Sequence, residues 1–240
     1  MLRPMPRSAG PSSHYNPRMH QGGKLSFRRR IQDGVENPGD RLLLGGEDPP
    51  PLAELVPPGY PRVEVEIGPG KGAFLLAATA ARPDTFLLGI EAAAAYASHA
   101  ATKLHQSGRS NGLLLVDNGK LYLRDRVPPQ SLHAVHVYYP DPWPKRRHRG
   151  RRFFTDEVRD TLADVLVDDG LLLIATDNPA YAGAIVRVLG SAPAFERDTT
   201  AEQQLQALGP GFAFSPTNFE KKYLEAGRIL RRYAFRRVAR

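Results

Sequence analysis

The chain of 240 residues predicts a doubly wound α/β sheet that ends in an antiparallel strand pair. Three observations carry this. Short apolar runs alternate with longer helical patterns, one junction is a glycine-rich turn between a strand and a helix, and acidic residues follow the predicted strand ends. With 41% hydrophobic residues, the chain is long enough to bury one sizeable core.

The first unit is the clearest. Residues 62–67, Arg-Val-Glu-Val-Glu-Ile, alternate polar and apolar side chains as a half-buried strand does. They run into Gly68-Pro69-Gly70-Lys71-Gly72 and then into an apolar helix start, which predicts a strand over 63–67 and a helix over 73–81. Three glycines at alternate positions let the chain turn sharply and let a ligand lie against main-chain atoms. Further strands are predicted over 86–90, 113–116, 134–138 and 171–175, and helices over 92–105, 154–167 and 179–189, with Asp168-Asp169-Gly170 stopping the third of the four helices. Residues 195–199 and 228–238 read as the final two strands.

Residues 1–30 hold seven Lys or Arg and no acid, whereas 31–60 hold six acids, one Arg and the Pro49-Pro50-Pro51 break. Residues 1–55 therefore read as a poorly ordered extension, and 56–240 as the folded domain. The basic arm is either a solvated tail or a tether for RNA. The absence of a secretory or membrane-spanning apolar run points to a cytoplasmic protein without membrane attachment. With no cysteine and no metal-ligand spacing among seven histidines, no metal site is expected, and His133 and His136 read as structural.

In a doubly wound sheet, ligands bind beyond the carboxyl ends of the strands, where strand order reverses. Glu66, Glu91, Asp117, Asp141 and Asp177 all follow or close predicted strands, so five acids gather at one rim. The loop is G-x-G-x-G rather than the dinucleotide G-x-G-x-x-G, and Glu66 beside it would repel a phosphate. S-adenosylmethionine, with a sulfonium, an ammonium and no phosphate, suits Glu66. Glu91, nineteen residues after Gly72, is placed to take ribose hydroxyls.

The segment from Tyr138 to Arg152 joins a strand end to a Pro-flanked carboxylate, Asp141, and then to a basic block. Six of the eight residues from Lys145 to Arg152 are Lys or Arg. That density suits phosphate contact, as do the net charge of +8 and pI near 9.9. Pro140, Pro142 and Pro144 restrict the backbone around Asp141 and Trp143. Trp143 is either a pocket wall or a core residue.

These motifs together resemble the bacterial tRNA (guanine-N7)-methyltransferase family, which has the glycine turn, a Gly-Ile-Glu strand end and a Pro-Asp-Pro-Trp-Pro-Lys run in this order. The segment containing Asp177 and the later Thr217-Asn218-Phe219-Glu220 also look like family motifs, so the resemblance covers about residues 60–238. It implies a class I S-adenosylmethionine-dependent methyltransferase (Rossmann-like) fold and methylation of N7 of guanine 46 in the tRNA variable loop. Cofactor contacts are then expected from Glu66, Gly68, Gly70, Gly72, Glu91, Asp117 and Asp141, with Asp141 also catalytic. Lys145, Asp177, Thr217, Asn218, Phe219 and Glu220 would hold the substrate base and its surroundings. Arg147, His148, Arg149, Arg151 and Arg152 would clamp the RNA backbone, and the enzyme is expected to act as a monomer. The chain departs from the family pattern in the Ala-rich run after Glu91, in Asn118, and in Tyr138-Tyr139, where Phe is more usual. Rival readings are a methyltransferase for another RNA or a small molecule, an RNA-binding module without activity, and a nicotinamide oxidoreductase, which Glu66 and the loop spacing disfavour.

Overall fold

A computed structural model describes residues 39–46, 48–207, 227 and 229–239. Among them, eight strands form one sheet: β1 (Leu42–Leu44), β2 (Arg62–Ile67), β3 (Thr85–Ile90), β4 (Gly112–Val116), β5 (Leu132–Tyr138), β6 (Leu166–Thr176), β7 (Phe195–Arg197) and β8 (Arg231–Arg237). Their order is β1-β4-β3-β2-β5-β6-β8-β7. Strands β1 to β6 are parallel; β8 runs antiparallel to both β6 and β7. From β2 the chain steps outward through β3 to β4, then crosses to β5 on the other side of β2. The strand order therefore reverses at β2, between β3 and β5.

Helices are α1 (Leu52–Leu55), α2 (Ala73–Ala81), α3 (Ala94–Gln106), α4 (Gly119–Arg126), α5 (Asp156–Val165), α6 (Pro179–Gly190) and α7 (Thr199–Ala207). Two faces of the sheet are covered. Leu123, Leu162 and Ile185 from α4, α5 and α6 pack with Val65, Val135 and Ile174. On the opposite face, Leu75, Ala78 and Leu104 from α2 and α3 pack with Leu87 and Leu114, and Leu205 from α7 joins Leu173 and Ala234. No helix of the described residues is long and apolar enough to cross a membrane.

Several elements differ from the expectation. The third predicted helix, 154–167, is α5 and ends at Val165, and β6 starts at once with Leu166 paired to Leu132. Asp168-Asp169-Gly170 is thus an excursion within the strand and not a helix stop. Its register shift falls between Leu132 and Ala134, Asp169 takes a φ of 61°, and a Cβ at Gly170 would sit 2.8 Å from the Val167 carbonyl oxygen. Arg237 pairs with Asp168, and Arg236 donates to the Asp169 carbonyl at 3.3 Å, which ties the excursion to β8. The last predicted strand pair shortens because Asp198 caps α7, accepting the Ala201 N–H at 2.8 Å. Strand β1 and helix α1 fall within 1–55, and β1 extends the sheet beside β4.

Candidate active site

The chain leaves β2 through Gly68, whose N–H donates to the Ile90 carbonyl at 2.9 Å, and the turn closes with Gly72 N–H to the Pro69 carbonyl at 2.8 Å. Gly68, Gly70 and Gly72 have φ of 69°, 55° and 75°. A side chain there would be strained, and glycine avoids the strain. A Cβ at Gly68 or Gly70 would meet nothing within 4 Å, so their backbone faces open space where a ligand can approach. At Gly72 it would lie 2.7 Å from the Ala100 Cβ. This third glycine serves the contact between α2 and α3, and the small alanines of α3 allow that approach.

Glu91, at the tip of β3, reaches the same turn. Its carboxylate accepts the Gly70 N–H at 2.9 Å and the Ala93 N–H at 2.8 Å. Glu66 lies beneath, only 3% exposed, with one carboxylate oxygen lacking a hydrogen-bond partner. Burial first, and then the neighbouring Glu91 charge, push its pKa up to about 8, against the lowering influence of the Leu75 N–H. A buried polar atom without a partner is costly and calls for a donor or cation. S-adenosylmethionine fits that demand, because it carries two positive groups and several donors and brings no phosphate to an acidic pocket.

Beyond β4 and β6 the chain uses one local solution twice. Asn118 caps α4, accepting the Lys120 N–H at 3.0 Å, and Asn178 caps α6, accepting the Tyr181 N–H at 2.9 Å. The preceding residues, Asp117 and Asp177, are thereby left half-buried at the strand tips. Asn118, a departure from the family pattern, has a structural reason in this cap.

The loop after β5 is held in an unusual shape. Tyr139 and Trp143 have φ of 54° and 37°, left-handed values that are disfavoured for side-chain-bearing residues. The Tyr139 N–H is secured by the Ala175 carbonyl at 2.7 Å. Asp141 is exposed on this loop and Trp143 is half-buried. The Arg151 guanidinium lies 5.0 Å from the Trp143 ring centroid, and the His148 ring meets Trp143 edge-on at 5.7 Å. Arg152 turns inward: its Nε–H donates to the Pro142 carbonyl at 2.8 Å and its guanidinium lies 4.9 Å from the Tyr181 ring centroid. Lys145, Arg146, Arg147 and Arg149 are exposed on or beside the 3-10 turn Arg146–Arg151. The five residues assigned to RNA thus divide: Arg147 and Arg149 face solvent, while His148, Arg151 and Arg152 engage the Asp141 loop or its neighbours.

A buried polar chain runs beneath the site. Arg82 donates to Glu64 at 2.8 Å, Glu64 is 2.8 Å from His136 Nε2, and His136 Nδ1 is 2.9 Å from the Tyr138 hydroxyl. Burial favours the neutral forms of both partners and lowers His136, but the His136 and Arg82 contacts hold Glu64 down to about 2. Glu64 is then the anion, His136 donates from Nε2, and its Nδ1 accepts the Tyr138 proton. His136 is structural, as the sequence suggests. The Tyr138 hydroxyl, the other departure at this strand end, is committed inward.

Sequence reasoning missed Lys120, which donates to the Arg152 carbonyl, and the Tyr181 platform. Neither has a motif that would announce it. Thr217, Asn218, Phe219 and Glu220 lie outside the described residues. Among those described, no three His, Cys, Asp or Glu side chains gather as a metal-ligand group.

A family model described as "Putative methyltransferase" matches residues 61–232. The tRNA (guanine-N(7)-)-methyltransferase of Rhodopseudomonas palustris is 31% identical over 93% of this chain and 90% of its own length. The chain belongs to this family. Proteins of the same name from Streptomyces avermitilis and Thermus thermophilus are 34% and 33% identical over 78% of this chain, which spans 63% and 57% of their lengths. Among solved structures, the 16S rRNA methyltransferase KamB aligns with TM-score 0.55 and 15% identity, over 78% of this chain and 93% of that one. A 16S rRNA (adenine(1408)-N(1))-methyltransferase from Catenulisporales acidiphilia, with SAM, aligns with TM-score 0.53 and 14% identity, over 75% and 88%. The fold is that of the class I methyltransferases. For a tRNA (guanine-N7)-methyltransferase family member the cofactor is S-adenosylmethionine, and Glu66 with the open faces of Gly68 and Gly70 would hold it.

Proposed function

We propose that this chain transfers the methyl group of S-adenosylmethionine to N7 of a guanine in tRNA, at guanine 46 of the variable loop, in the cytoplasm. The observation that carries the reading is that the Glu66 cradle and the Pro-flanked Asp141 loop leave the carboxyl ends of adjacent parallel strands, β2 and β5, at the centre of the sheet. Bound S-adenosylmethionine supplies an electrophilic methyl on sulfur.

The protein's own work is placement and electrostatics. Guanine N7 attacks with a lone pair that lies in the ring plane, so no proton has to leave first. Asp141 accepts the guanine N1–H and exocyclic amine and opposes the positive charge that grows on the purine. The exposed Lys145, Arg147 and Arg149 meet phosphates, which contribute affinity and little choice of base. Asp177 and the Thr217 to Glu220 segment complete the base contacts. The target guanine leaves its stack to enter.

Incubation with labelled S-adenosylmethionine and unmodified tRNA, followed by nucleoside analysis, should yield 7-methylguanosine. Label in another nucleoside, or in none, would overturn the assignment. Asp141→Ala should lower turnover on the order of a hundredfold or more while calorimetry still finds cofactor binding; undiminished turnover would remove Asp141 from catalysis.

A further inference from the structure

The basic run after Trp143 holds six Lys or Arg, yet the Arg152 side chain is turned into the protein. The loop it meets has few means to hold itself. Pro140, Pro142 and Pro144 lack N–H groups, so the backbone from 140 to 144 offers few donors of its own. Trp143 sits at φ 37°, a conformation that relaxes unless neighbouring groups over-determine it.

Arg152 supplies the missing donors. Its Nε–H reaches the Pro142 carbonyl at 2.8 Å, and Nη2 approaches the Trp143 carbonyl at 3.5 Å. The guanidinium carbon lies over the ring of Tyr181, 4.9 Å from its centroid; Tyr181 is fully buried and its hydroxyl accepts the Phe154 N–H at 3.3 Å. Tyr181 belongs to α6, which starts just beyond Asp177. The Arg152 carbonyl is itself held by Lys120 from α4. Burial raises the pKa of the Tyr181 phenol, while the Phe154 N–H and the Arg152 charge lower it, so the phenol and the guanidinium over it act on one another.

We propose that Arg152 is a positioning residue that clamps the Asp141 loop through the Pro142 and Trp143 carbonyls, with Tyr181 as its platform, and is not a phosphate ligand. The kinetic part rests on the methyl-transfer reading above. Lysine cannot replace it, since an ammonium has neither the fork nor the face that this site uses.

Trp143 is the only tryptophan of the chain, so its emission reports the loop directly. Arg152→Lys and Arg152→Ala should each lower kcat by about tenfold or more, because a small misplacement of an oriented group is enough. Both should leave the salt dependence of tRNA binding unchanged. Their tryptophan emission should shift to the red, and acrylamide quenching should rise. Arg149→Ala should instead flatten the salt dependence, by about 0.7 to 0.9 log units for one phosphate no longer neutralised, without moving the emission. A flattened slope with unaltered emission in Arg152→Lys would make Arg152 a phosphate ligand and overturn the proposal, as would unchanged kcat and emission. Should Arg152→Ala fail to fold, Arg152→Lys keeps the charge and carries the test. If the wild-type protein forms no 7-methylguanosine, emission and quenching still decide the clamp, so its failure is distinguishable from failure of the functional reading.

Discussion

Replacing Glu66 by Gln keeps the shape of the cradle and removes its proton equilibrium. In the unfolded chain this carboxyl ionises near 4.5, whereas in the folded protein burial and Glu91 hold the proton until about 8. The folded state therefore binds more protons between those values, so the stability contributed by Glu66 is complete below 4.5 and is lost as pH rises to 8. Denaturant titrations without cofactor should show Glu66→Gln gaining on wild type across that window, on the order of a few kcal/mol by pH 8. A constant difference would mean that Glu66 is not held protonated. A cationic ligand against the orphaned oxygen favours the carboxylate, so S-adenosylmethionine binding near pH 7 should expel a proton in wild type and none in Glu66→Gln. Calorimetry in buffers of different ionisation heat measures it. Glu64, two residues earlier on the same strand, has the opposite sign: held down to about 2, it stabilises the fold above 4.5, and that contribution disappears as pH falls toward 2.

The glycine turn joins two elements, and its glycines should fail in different ways. Gly72→Ala forces a Cβ to within 2.7 Å of Ala100 in addition to the strain of φ 75°, so it should lower the melting temperature through the α2–α3 packing. Gly70→Ala adds strain but meets no atom, so its larger effect should be weakened cofactor binding, read by calorimetry beside the melting curves. Equal losses of stability would refute the distinction. This turn was legible in the sequence because its local chemistry has one reading: an alternating strand, positive-φ residues and a helix start lie within twenty residues. The Asp141 loop was legible for a similar reason, its prolines and basic run being contiguous. Strand β1 was not, since three leucines in an acidic, Pro-rich stretch become a strand only by pairing with β4. Helix α4 was missed because four of its eight residues are charged and its apolar signal is confined to Leu121, Tyr122 and Leu123. The Asp168-Asp169-Gly170 excursion has the composition of a helix stop, and only its pairing to β5 and β8 reveals a strand. Arg152 looked like its neighbours in the basic run, because its inward turn depends on Tyr181, a residue 29 positions away.

The net charge of +8 does not describe where a polyanion would bind, because many of the cations are already paired. Arg124 faces Asp125 and Glu157, Arg126 faces Asp48, and Arg159 faces Asp156 and Asp160. Pairs whose carboxylates are largely exposed contribute little to stability, so removing their cations should leave the fold intact. Arg146, Arg147 and Arg149 are exposed beside the Asp141 loop, where the proposed function would bring the tRNA backbone. Two triple variants therefore separate local contact from overall charge. Arg146→Ala/Arg147→Ala/Arg149→Ala and Arg124→Ala/Arg126→Ala/Arg159→Ala each remove three positive charges. The first should flatten the dependence of log Kd for tRNA on log salt by about 0.7 to 0.9 for each phosphate no longer neutralised, about 2.1 to 2.7 in all if all three touch backbone. The second should leave the slope nearly unchanged, since each arginine's field is already met by a carboxylate. Equal flattening in the two would mean that tRNA responds to total charge alone, and the 3-10 turn would then lose its role as the RNA-binding element.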